Sequence, residues 1–144
     1  MISIAIINGP NLNLLGEREP LLYGSRNFED FLKELKGEYK EVLFTYFQSN
    51  IEGEIIDELQ SKGFNSNGII LNAGGYTHTS VAIADAVKAI KTPVIEVHIS
   101  NIISRENYRH TSLTGANCIG TIMGLGLLGY KLAIDYFIKS LGKQ

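Results

Sequence analysis

Residues 68–98 read GIILNAGGYTHTSVAIADAVKAIKTPVIEVH. The run changes period twice. "GIILN" (68–72) is short, apolar and β-branched, the pattern of a strand buried on both faces. "SVAIADAVKAI" (80–90) spaces its aliphatic residues as a helix does, and Pro93 then opens a second apolar run, "VIEVH" (94–98). A strand, a helix and a strand in about thirty residues make a parallel βαβ unit.

The same alternation extends in both directions. Upstream, "ISIAII" (2–7) reads as a buried strand and "EVLFTYF" (41–47) as another. Between them "NFEDFLKELKGEY" places Phe28, Phe31, Leu32 and Leu35 on one helical face, with Asn27 as N-cap. "NIEGEIIDELQSKG" (50–63) is a further helix, with Ile51, Ile55, Ile56 and Leu59 turned inward and Gly63 as its stop signal. Downstream, 99–116 is a polar loop, "CIGTIM" (118–123) a fifth strand, and "LGLLGYKLAIDYFIKSL" (125–141) a long closing helix. Apolar strands alternating with helices predict an α/β three-layer sandwich. Right-handed crossovers and five strands predict a flavodoxin-like parallel sheet of order 2-1-3-4-5. The 144 residues suit one domain, 1–144, without repeats or low-complexity segments.

Composition narrows the partners. The net charge is −2, with no basic run, which argues against nucleic acid as the main partner. Cys118 is the only cysteine, so an internal disulfide and a zinc-finger site are excluded. No apolar span is long enough for a membrane helix, and "MISIAIINGPN" lacks the basic start of a signal peptide. The chain reads as cytoplasmic, with no membrane partner.

In such sheets ligands bind beyond the carboxyl ends of the strands, near the switch between strands 1 and 3. The loops leaving strands 1, 3 and 4 begin at Asn8, Asn72 and His98, and they are the polar, unusual ones. The three histidines, His78, His98 and His110, all lie after strand 3 or strand 4. His98 follows "VIEV" directly, so a rigid strand end would hold it as a proton donor or acceptor. The arginines gather in the first and fourth loops: Arg18 and Arg26, Arg105 and Arg109. Their planar forks suit a carboxylate or phosphate, and salt bridges anchoring the loops account for them equally. Tyr23 is a base only if cations such as Arg18 lower its pKa; otherwise it is a loop-packing aromatic. "NAGGYTHTS" (72–80) offers glycines, hydroxyls and free N–H groups to an anion, or is an ordinary capped turn. "GLGLLG" (124–129) imitates a dinucleotide fingerprint, but no strand follows its helix, so close packing explains it.

Two functions fit these residues. One is a cofactor-free enzyme on a small anion, with a tyrosine base, a histidine acid and arginine and asparagine anchors. The other is a flavodoxin-like module that binds a small anion or nucleotide without catalysis.

"GPNLNLLGEREPLLYG", "QSNIEGEIID", "NAGGYTHTSVAIADA", "EVHISN", "SRENYRHTS" and "GTIMGLGLLGYKLAI" occur in this order. Taken together they resemble the type II 3-dehydroquinate dehydratase (dehydroquinase) family, over about residues 4–136. The resemblance implies a carbon–oxygen lyase of the shikimate pathway that makes 3-dehydroshikimate through an enolate, with neither cofactor nor metal. It implies that Tyr23 is the base, Arg18 its electrostatic partner, Asn11 the holder of a water that supports the enolate, and His98 the acid, with Glu96 in its surroundings. It assigns substrate contacts to Asn72, His78, Ile99, Ser100, Arg109 and Arg105. Asp85 would reach substrate in a neighbouring subunit, as in the family's trimers stacked into dodecamers. The chain departs from the family's usual residues at Ile51, Gly75 and Tyr108, none of them a catalytic position.

Overall fold

The computed structural model describes residues 1–17 and 26–141. Five strands, β1 (Ile2–Asn8), β2 (Val42–Gln48), β3 (Gly68–Asn72), β4 (Val94–His98) and β5 (Gly120–Met123), form one sheet in the order β2-β1-β3-β4-β5. Every pairing is parallel, as crossover helices require. The helices are α1 (Phe28–Glu38), α2 (Glu52–Lys62), α3 (Val81–Ala89) and α4 (Leu128–Leu141). The predicted α/β architecture and strand order are those observed.

Two cores sandwich the sheet. Ile4, Ile6, Ile70, Ile95 and Val97 pack against Phe28, Phe31 and Leu35 of α1 and Tyr130, Ile134 and Phe137 of α4. Ala5, Ile7, Ile69, Leu71 and Val94 face Ile55 and Leu59 of α2 and Ile83 and Val87 of α3. The two sets alternate along each strand, as successive side chains must. Each fully buried Leu or Ile contributes about 1.5–3 kcal/mol of transfer free energy. Caps set the helix starts: Asn27 accepts from Asp30 N and Ser80 from Ile83 N. Among the described residues no helix is long and apolar enough to cross a membrane.

Four local expectations change. Ile51 does not turn inward: it holds the N-cap position of α2 in an extended backbone and is 58% exposed. Gly63 does end α2, but its φ of −71° is ordinary. What requires glycine there is space, because a Cβ would lie 2.4 Å from Ile90 Cγ2. β5 begins at Gly120 rather than Cys118, and α4 at Leu128 rather than Leu125. Gly124 and Gly126 take φ of +85° and +61°, so they turn the chain before α4 can start.

Candidate active site

β1 ends at Asn8, β3 at Asn72 and β4 at His98. The loops that leave them enclose one pocket. Asn11, Asn72, His78, His98, Ile99, Ser100, Arg105 and Arg109 line it, all eight singled out by the sequence. Pro10, Leu12, Gly74, Gly75 and Ile102 complete the wall. Tyr23 and Arg18 lie outside the described residues. Asp85 is exposed on α3 and does not line the pocket.

The first loop turns sharply at Asn11. Its φ of +71° makes it the one non-glycine with positive φ among the described residues. Asparagine tolerates that conformation better than most residues, and such outliers gather at functional sites. The Asn11 N–H donates to Asn50 Oδ1 at 3.0 Å, and Gln48 Nε2 donates to both Gly9 O and Asn50 Oδ1. The second loop is a 3-10 turn, Gly74–His78. Gly74 has φ +60°, and a Cβ there would lie 2.9 Å from Pro10 O, so the two loops meet backbone to backbone.

His78 Nδ1 sits 2.8 Å from the Thr111 carbonyl. Burial pushes its pKa down against that carbonyl's upward pull, with the His98 and Arg109 charges adding to the depression. The ring is therefore neutral at pH 7, and Nδ1 carries the hydrogen because the carbonyl can only accept. Nε2 is left as an acceptor.

Glu96 and His98 are two apart on β4, so their side chains leave the same face of the sheet. His98 Nε2 lies 3.0 Å from Glu96 Oε2, an ion-pair distance without the alignment of a good hydrogen bond. Glu96 is wholly buried. Ser112 Oγ donates to its carboxylate at 2.8 Å, and Thr114 Oγ1 donates to the other oxygen. Burial raises the Glu96 pKa, but His98 and the two hydroxyls outweigh it and the net shift is downward. A charged carboxylate is thus kept beside His98 in a dry place. Ser112 and Thr114 were not singled out by the sequence, because hydroxyls in a polar loop carry no signal of their own.

The fourth loop brings two guanidinium groups to the pocket. Arg105 Nη1 donates to Ser100 Oγ at 3.3 Å. Arg109 Nε pairs with Glu106 Oε2 at 2.7 Å, and Arg105 Nε approaches the same oxygen at 3.9 Å. Both guanidinium groups line the pocket, where their planar N–H forks suit a carboxylate. Among the described residues no group of three His, Cys, Asp or Glu could hold a metal ion.

Comparison with known proteins places the chain in a family and agrees with its fold. The family model described as dehydroquinase class II matches residues 2–138. A 3-dehydroquinate dehydratase of Fusobacterium nucleatum is 52% identical over 149 aligned residues, covering 99% of this chain and 100% of the relative. The crystal structure of a type II dehydroquinase from Butyrivibrio crossotus superposes with a TM-score of 0.91 at 46% identity, over 94% of this chain and 97% of that one. One from Propionibacterium acnes gives 0.89 at 37% identity, over 94% and 95%. With the family model spanning almost the whole chain and close relatives matching along its full length, the protein belongs to the class II dehydroquinase family.

Proposed function

We propose that this protein is a 3-dehydroquinate dehydratase that eliminates water in the anti sense through an enolate, without a cofactor or a Schiff base. The observation that carries the reading is the buried Glu96–His98 pair opening on a pocket with two arginines and two asparagines. The substrate's carboxylate suits the guanidinium groups, and its hydroxyls suit amide, imidazole and serine partners.

In this reading Tyr23 takes the proton from C2, beside the ketone, and the electron pair moves to the carbonyl oxygen as an enolate. The Arg18 charge makes the phenol a usable base, and a water held by Asn11 supports the enolate. The enolate then re-forms the ketone as the C1 hydroxyl leaves with a proton from His98. Nε2 of His98 faces Glu96, so Nδ1 is the nitrogen left to deliver that proton. The roles of Tyr23 and Arg18 rest on the family resemblance alone.

The chain is also proposed to work as an oligomer built from trimers. Leu128, Leu132 and Tyr136 recur every four residues on α4 and are exposed, beside an exposed Ile119. Such an apolar stripe is what a subunit contact covers. Asp85, exposed and away from its own pocket, is free to reach a neighbour's. Light scattering on the eluting protein checks this, and a monomer would overturn it.

The deciding experiment mixes purified protein with 3-dehydroquinate and no added cofactor. Absorbance of the conjugated enone should rise; a flat trace with a folded protein would favour a binding module instead.

A further inference from the structure

Behind Asn72, which lines the pocket, lie buried polar groups to which these steps assign no role. Asn8 and Asn72 stand opposite each other in register at the ends of β1 and β3. They continue the rows of Ile4, Ile6 and Ile70, so both side chains turn toward the apolar face covered by α1 and α4. Both are buried there. Unpaired amides at that depth would be costly.

Tyr130 meets both. It stands in the first turn of α4, fully buried, with its ring edge-on to Phe28 at 5.1 Å and to Phe31 at 5.9 Å. Its hydroxyl accepts from Asn72 Nδ2 at 3.1 Å and donates to Asn8 Oδ1 at 2.8 Å. Asn8 Nδ2 in turn faces Tyr46 Oη at 3.4 Å.

The direction of this chain is fixed at its start. The Gly74 N–H can only donate, and it donates to Asn72 Oδ1 at 3.2 Å. Asn72 must therefore turn Nδ2 to the phenol, whose single proton passes on to Asn8. Reversing the Asn72 amide would set two donors against each other at Gly74. Burial, the main influence on the Tyr130 phenol, pushes its pKa up, so it keeps its proton. Among the described residues one N–H of Asn72 has no partner, and Asn72 lines the pocket.

We infer that Tyr130 is a positioning residue: Gly74 sets the sense of the Asn72 carboxamide, and the Tyr130 hydroxyl holds one of its N–H groups so that the other is presented to the substrate. The inference rests on the proposed role of Asn72 as a substrate anchor. Locking the amide beforehand spares the complex the cost of ordering it.

The test is a double-mutant cycle on the full-length protein, read as KM and kcat for 3-dehydroquinate. Tyr130→Phe should raise KM about tenfold, the worth of one directed hydrogen bond, and leave kcat nearly unchanged. Asn72→Ala should also raise KM, and adding Tyr130→Phe to it should change nothing further. If Tyr130→Phe does not fold, Asn8→Leu takes its place. That change removes the acceptor that aims the phenol's proton away from Asn72, loosens the hydroxyl's hold on Nδ2, and should raise KM in the same direction by a smaller factor. An unchanged KM in a folded variant, or effects that multiply in the cycle, would overturn the inference. A wild-type protein without turnover would instead sink the function itself, and the inference with it.

Discussion

Glu96 has no contact with water, yet three groups hold it in its charged form: His98, Ser112 and Thr114. Its folded pKa is lower than that of an unfolded glutamate. The folded state therefore binds the proton more weakly, and the resulting stability, present above the ordinary value of 4.5, is lost as pH falls through the folded value. Thermal melts across the acid range should fall steeply for the wild type and less steeply for Glu96→Gln, and parallel curves would contradict this account. For catalysis, His98→Ala should lower kcat by about a hundredfold or more, with a smaller effect on KM. Tyr23→Phe should leave fold and assembly intact while removing most turnover, and near-normal enone formation would refute its role as base. Much of this site was legible, because Asn72 and His98 end strands and the arginines gather in loops. Tyr130 was not. A tyrosine in an apolar helix reads as core, and only the fold reveals that its hydroxyl meets two asparagines from distant strands.

Elements were legible where periodicity and caps agree, as in α1, where Asn27 and the inward face of Phe28, Phe31 and Leu35 were both foreseen. They were less so where glycine has several uses. Gly63 was read as a stop signal and does end α2, and it is also a point of close approach between the ends of α2 and α3. Its carbonyl accepts from Lys91 N and Thr92 N, and Ile90 occupies the place of a side chain. Gly63→Ala should therefore destabilise the protein by about 1–3 kcal/mol, the usual cost of overpacking. Urea titration measures it, and a neutral or stabilising result would return Gly63 to the role of a plain helix terminator. The start of α4 was misplaced for a related reason: apolar residues on both sides of Gly124 and Gly126 give no period by which to choose where the helix begins.

At the scale of the molecule, strand order followed from alternation and handedness alone, since apolar strands with helical crossovers admit few arrangements. What alternation could not supply was the loops' shape, because a polar loop has no period. The level at which β1, β3 and β4 end has a kinetic consequence. Asn8, Asn72 and His98 lie far apart in the chain and come together only when the central strands have paired across their crossovers. Parallel pairing of this kind is slow, because long loops must close before contacts repay them. During refolding from denaturant, helical signal should return early and enone-forming activity only with the slowest phase. Turnover would then serve as a clock for the last step of assembly, and no fragment lacking one central strand should start it.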